Sequence, residues 1–147
     1  MKLKTKKIYT VGTSNRSIEE FIEILKRYHI ETVVDVRSFP QSKRFPHFNQ
    51  SELSGFLKRV GIKYVYLGKE LGGFKKGGYE RYMETETFKE GIKKLEEIGE
   101  ESITAFFCCE KLFFRCHRRF ISQELTVRGW QIYHIVDRDI FPDLRVL

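Results

Sequence analysis

The sequence predicts a three-layer α/β/α sandwich on a mostly parallel sheet of about five strands, Rossmann-like or flavodoxin-like, forming one domain over residues 1–147. Three observations predict it. Five short runs rich in β-branched and aromatic residues recur along the chain. Helical patterns separate them. The residues with chemical function collect after the strands rather than before them. Strands alternating with helices imply βαβ units, right-handed crossovers and a sheet covered on both faces. Such patterns carry no strand order.

The β-rich runs are residues 7–11, 32–36, 63–66, 103–107 and 131–136. Between the first two, Ser17 with Glu20 forms a capping-box pattern, and Ile18, Phe21, Ile22 and Leu25 follow at helical spacing. Asn49 with Glu52 is a looser cap before Leu53, Phe56 and Leu57, and Thr87 with Glu90 repeats the box before Ile92 and Leu95. The last helix is predicted from about Arg115 to Arg128, with Phe120, Ile121 and Leu125 inward and Gly129 as its C-cap. About 20 residues separate the third strand from the next helix, long enough for a functional lid hinged at Gly72, Gly73, Gly77 and Gly78, or for an element hidden from the pattern.

A chain of 147 residues buries roughly two-thirds of its unfolded surface, and no linker, repeat or low-complexity tract divides it. The cationic start has no apolar segment long enough for a signal peptide, and nothing approaches a membrane span, so a cytoplasmic protein is expected. Three cysteines, two of them adjacent, suit reduced thiols better than a disulfide framework. The net charge of +7 and a pI near 9.3 fit an anionic partner.

In a parallel sheet all strand C-termini share one edge, where open α/β sheets place ligands. After the first strand come Gly12, Thr13, Ser14, Asn15 and Arg16, which read equally as a phosphate-binding turn or as a turn with a helix cap. After the second come Asp35 and Arg37, either an anion-holding arginine with its orienting or proton-transferring partner, or a structural ion pair. Lys43, Arg44 and His47 then interleave with Phe39, Phe45 and Phe48. Lys69, Lys75, Lys76 and Arg81 do so with Phe74, Tyr79 and Tyr82. Cations beside aromatics suit nucleotides and nucleic acids, unless the aromatics are core.

The fourth strand leads into Cys108, Cys109 and Glu110, and then Arg115, Cys116, His117, Arg118 and Arg119 at the start of a helix. Cys109 and Arg115 have the Cys-x5-Arg spacing of cysteine phosphatases, but the loop between them lacks glycine and contains Glu110. Cys108, Cys109, Cys116 and His117 lack the ligand spacing of structural zinc sites, so no metal is assigned. A thiol near a helix N-terminus, an imidazole and several guanidiniums should be depressed in pKa and nucleophilic. The alternative is that Cys108 and Cys116 are core.

In order along the chain, Gly12 with Ser14, Asn15 and Arg16, Asp35-Val36-Arg37 with Pro40 and Ser42, Phe48-Asn49, Leu71-Gly72-Gly73, Tyr82-Met83 with Thr85 and Phe88, Cys108 with Glu110, and Cys116-His117-Arg118 resemble the DUF488 family, from about Tyr9 to Ile135. The resemblance implies a compact α/β domain with a suspected catalytic centre and no settled activity. It places Cys108 rather than Cys109 at the motif position. Thr13 stands where the family commonly has His. Leu112-Phe113 replaces a polar Asp-Pro turn, suggesting a hydrophobic contact with ligand or partner.

The combined expectation is a thiol-dependent hydrolase or transferase acting on a phosphate-bearing substrate, a nucleotide or nucleic acid, with no cofactor. Cys108, His117, Glu110 and Asp35 are the catalytic candidates. Gly12, Ser14, Asn15, Arg16, Arg37, Lys43, Arg44, Tyr82, Arg115, Cys116 and Arg118 are the binding candidates. The alternatives are a non-catalytic nucleic-acid-binding module and a regulatory subunit with exposed phenylalanines. Assembly as a homodimer is admitted.

Overall fold

In strand β1 (Lys7–Gly12) every residue after Lys7 is buried, as a strand covered on both faces requires. The computed structural model describes residues 6–143 except 74, 114, 115 and 138. The remaining strands are β2 (Thr32–Asp35), β3 (Lys63–Tyr66), β4 (Thr104–Cys108), β5 (Gln131–Val136) and β6 (Asp139–Pro142). The sheet order is β3-β2-β4-β1-β5-β6, with the first five parallel and β6 antiparallel to β5. This is the expected three-layer, doubly wound architecture. Relative to the 3-2-1-4-5 order of dinucleotide-binding sheets, β1 and β4 are exchanged. The sixth strand lies on an edge, where Pro142 is tolerated, and follows a turn in which Asp137 takes a left-handed conformation, φ 55°.

Alternation along the strands divides the interior into two cores. Tyr9, Val11, Val33, Ala105 and Phe107 face helices α1 (Ile18–Arg27) and α2 (Gln50–Arg59). Ile8, Val34, Phe106 and Cys108 face α5 (Glu86–Glu101) and α6 (Arg118–Val127), with the short helices α3 (Gly68–Leu71) and α4 (Tyr79–Tyr82) in the same layer. The side-chain period of two therefore points Cys108 toward the start of α6.

The capping box at Ser17 and Glu20 is formed in full. The other two caps differ from expectation. Asn49 occupies the N-cap of α2, but its Oδ1 accepts the Ser42 amide instead of capping. Helix α5 is capped by Thr85, whose hydroxyl accepts the Phe88 N–H, leaving Thr87 inside the helix. Gly129 ends α6 as expected, at φ 95°. The stretch after β3 contains α3 and α4, which the spacing did not show. Leu71 and Tyr79 are buried, and the Tyr79 hydroxyl donates to the Leu71 carbonyl at 2.7 Å, which anchors the segment on the core at these two residues while residues 76–78 between them stay exposed.

Candidate active site

The segment joining β4 to α6 curls around the side chain of Arg118, which is 1% exposed. Its Nε donates to Cys108 Sγ at 3.1 Å and to Cys116 Sγ at 3.4 Å. Nη1 donates to Thr10 Oγ1 at 3.1 Å, and Nη2 donates to the carbonyls of Glu110 and Lys111. The two sulfurs are 3.2 Å apart and both thiols are free. Among the described residues no carboxylate pairs with Arg118 within 4.0 Å. A buried guanidinium without a counter-charge is costly, and among the described residues the groups touching Arg118 that can supply one are the two sulfurs.

The hydrogen bond between the thiols divides them electrostatically. The bond from Cys108, the Arg118 charge and the Arg118 backbone N–H, 3.4 Å from the sulfur, lower Cys116 to about 6 against the burial that opposes them. The same bond, with burial, raises Cys108 well above an ordinary thiol. Both sulfurs therefore remain candidates for the reactive thiol, and the electrostatics around Arg118 favour the anion at Cys116, which lies just before α6.

Asp35 is fully buried and its oxygens are fully engaged. Oδ1 accepts from Arg37 N and Nε at 3.0 and 2.9 Å, while Oδ2 accepts from Arg37 Nη2 at 2.8 Å and from the Tyr64 hydroxyl at 2.5 Å. Arg37 Nη1 donates to the Phe48 carbonyl at 2.8 Å. Burial and the Asp35 charge raise the Tyr64 phenol, keeping it a donor. Asp35 does not reach the cleft. The structural ion pair replaces the proton-transfer role expected of it, and Arg37 reaches the cleft wall already paired.

The cleft has a volume of about 1010 Å³ and lies at the C-terminal edge of the sheet. It brings together Ser14, Asn15, Arg37, Arg44, Cys108, Glu110, Cys116 and His117 from the expected set. It adds Ser38, Lys75, Lys111 and Arg119, so five cationic side chains (Arg37, Arg44, Lys75, Lys111 and Arg119) meet one carboxylate, Glu110. His117 Nε2 contacts the Val36 carbonyl at 2.6 Å, which makes Nε2 the protonated nitrogen and leaves Nδ1 as an acceptor beside Gly73. Burial first, then the charges of Arg118 and Lys75, lower this imidazole to about 4, so it is neutral at pH 7.

Other expected residues sit elsewhere. Gly12 is required by close approach, because a Cβ there would lie 1.9 Å from the Glu110 carbonyl oxygen. The amides of Thr13, Ser14, Arg16 and Ser17 are already bonded to Cys108 O, Cys109 O, Thr13 O and Glu20, so what this turn presents to the cleft is chiefly the side chains of Ser14 and Asn15. Arg16 is buried, donating to the Gly12 carbonyl at 3.0 Å and facing Asp137 at 3.5 Å. Lys43 is exposed away from the cleft wall, and the Tyr82 hydroxyl donates to the Glu70 carbonyl at 2.7 Å. Phe48 and Tyr79 are core, while Phe39, 72% exposed, and Phe45 and Phe120 also line the cleft. Phe113 stacks on His134 with ring centroids 3.5 Å apart. Arg115, Phe74 and Phe114 lie outside the described residues.

One chain of contacts behind the sulfurs was missed by sequence reasoning. Thr10 Oγ1 accepts from Arg118 and lies 2.7 Å from His134 Nδ1, and His134 Nε2 lies 3.1 Å from Asp143 Oδ2. Arg118 occupies one lone pair of the Thr10 hydroxyl, and the tautomer of His134 sets which atom donates in the Thr10–Nδ1 contact. A threonine inside a strand and a histidine two strands' length away carry no local signal. Among the described residues no three His, Cys, Asp or Glu side chains form a metal-binding group, and no helix is long and apolar enough to cross a membrane.

The chain belongs to the family described as domain of unknown function DUF488, whose model matches residues 17–125. Neither the curated proteins nor the solved structures yielded a match.

Proposed function

We propose that this protein is a thiol-dependent enzyme of the hydrolase or transferase class, acting on a phosphate-bearing substrate of the nucleotide or nucleic-acid kind. The observation that carries the reading is the buried Arg118 with two sulfurs in place of a carboxylate. It stabilises a thiolate at Cys116, and a thiolate facing a cleft is a nucleophile. Arg44, Lys75, Lys111 and Arg119 on the cleft wall supply the positive field a phosphate requires.

In this reading Cys116 Sγ attacks phosphorus, forming the S–P bond as the bond to the leaving oxygen breaks. Neutral His117, with Nδ1 open as an acceptor, takes the proton of the water or acceptor alcohol that then displaces the sulfur. Glu110 borders the same space and contributes its carbonyl to Arg118. The second reading, a non-catalytic nucleic-acid-binding module, draws on exposed Phe39 beside the cations.

The test is alkylation of each cysteine against pH, with and without nucleoside phosphates and short oligonucleotides, followed by phosphate release from whichever ligand protects. The enzyme reading expects Cys116 to react with a midpoint near 6, protection by ligand, and loss of turnover by roughly 10³-fold in C116S with affinity retained. Binding with steep salt dependence, no turnover by the wild type and unchanged affinity in C116S would select the binding module.

A further inference from the structure

The contact between two free sulfurs supports a second chemistry that does not rest on the phosphate reading. We propose that Cys108 and Cys116 form a redox-active dithiol that a hydroperoxide closes to an internal disulfide, with Cys116 as the attacking sulfur and Cys108 as the resolving one.

Geometry carries the assignment. The sulfurs stand 3.2 Å apart, so a bond of about 2.05 Å needs only about 1 Å of further approach. Cys108 ends strand β4, which is paired on both sides, whereas Cys116 sits in the irregular turn before α6. Both border the open cleft, which gives a small peroxide access. Arg118 Nε lies 3.1 Å from Cys108 Sγ and 3.4 Å from Cys116 Sγ, and the Arg118 backbone N–H adds a second bond to Cys116 at 3.4 Å, which favours the anion there, the form that reacts. Cys109 is exposed and lines the same cleft, but among the described residues no contact joins its sulfur to Cys108 or Cys116, so it is not the partner.

The steps balance. The Cys116 thiolate attacks one peroxide oxygen; the S–O bond forms, the O–O bond breaks, and the released alkoxide or hydroxide is protonated to alcohol or water. Sulfur is oxidised by two electrons and the peroxide reduced by two. Cys108 then attacks the sulfenic sulfur; the S–S bond forms, the S–O bond breaks, and the Cys108 proton leaves with hydroxide as water. Two thiols and one hydroperoxide give one disulfide, one alcohol or water, and one further water. A dithiol reductant restores the thiols by exchange. Closure removes the Cys116 nucleophile and leaves Arg118 with neither counter-charge, so an oxidising environment would switch the cleft off.

The test uses the full chain titrated with hydrogen peroxide at pH 7, quenched with N-ethylmaleimide and read by peptide mass spectrometry. The expected result is a loss of two hydrogens, with Cys108 and Cys116 blocked together, Cys109 still alkylated, and dithiothreitol restoring all three thiols. C109S should behave as the wild type. C108S should stop at a dimedone-trappable sulfenic acid on Cys116 and proceed to sulfinic acid. The proposal is overturned if Cys116 of the wild type is over-oxidised while Cys108 remains alkylated, if the sole product is a Cys109-linked dimer, or if Cys116 is inert to peroxide. No readout depends on turnover, so failure of the phosphate reading leaves this result legible, and the reverse also holds.

Discussion

Arg37 and Arg118 are both buried at the same edge of the sheet, and they differ in what neutralises them. Arg37 meets Asp35 through a two-pronged contact at 2.9 and 2.8 Å, and every lone pair of that carboxylate is used. Arg118 meets two sulfurs, a threonine hydroxyl and two carbonyls. A carboxylate is charged at any physiological pH and chemically inert. A thiol is charged only if its surroundings make it so, and once charged it reacts. The first arrangement holds a loop against β2 and β3; in the proposed function the second holds a nucleophile. Residue type alone does not separate a structural arginine from a functional one, but the identity of its counter-charge does.

The largest expected effect breaks the structural half of the comparison. D35N preserves shape but leaves the Arg37 guanidinium buried and unpaired, a loss of about 3–5 kcal/mol. In a domain of this size that is roughly a 10 °C fall in melting temperature. Pairing D35N with R37M should recover much of the loss, while thiolate absorbance should keep its midpoint throughout. A shift of that midpoint in D35N would mean that the two arginines are one coupled site, and the contrast would fail.

The second effect sharpens the functional half. T10V removes the acceptor of Arg118 Nη1 and the hydrogen-bond partner of His134 Nδ1 in one step, and each leaves a buried polar group unsatisfied, a cost of about 2 kcal/mol. A structural role alone would stop there. If Thr10 positions Arg118 against the sulfurs, the thiolate midpoint also rises from about 6 in T10V and returns in T10S. Chemical denaturation and absorbance titration of the same samples measure the two quantities separately.

The legibility of these two arginines from sequence differs for a physical reason. Five strands and the edge they share were readable because β-rich runs and helical spacing are local. The Asp35-Val36-Arg37 pair was visible as a motif but ambiguous, since only the Tyr64 hydroxyl, 29 positions away and at the Asp35 carboxylate, decides it. The thiol pair was visible as two cysteines near a helix start, and the burial of Cys108 follows from its place on β4, but nothing local shows that the two sulfurs meet over Arg118. The relay through Thr10, His134 and Asp143 joins residues up to 133 positions apart and depends on β5 lying beside β1, a strand order no pattern encodes. The aromatic and cationic runs were ambiguous for the opposite reason. Their composition is that of a nucleic-acid surface, but Phe48 and Tyr79 turn inward to fill the two cores.

The smallest expected effect concerns how stability depends on pH, and it follows from the sign of the Cys116 displacement. Its folded value, about 6, lies below the ordinary thiol value of 9.0. Between those values the unfolded chain holds more protons than the folded one, so stability must rise with pH across that window and the contribution must vanish below 6. Between pH 5 and pH 7 the gain is about 1 kcal/mol. Cys108 is displaced upward by the same hydrogen bond and by burial, so above about pH 9 the sign reverses and the profile turns down. Chemical denaturation of the wild type and the C108S/C116S double variant at successive pH values isolates the thiol pair, because the two coupled cysteines are removed together and the remaining titrating groups cancel in the difference. A difference that grows from pH 6 toward 9 means that Arg118 is neutralised by sulfur. A flat difference means that Arg118 finds its counter-charge elsewhere, and the contrast with Arg37 would then be one of geometry rather than of chemistry.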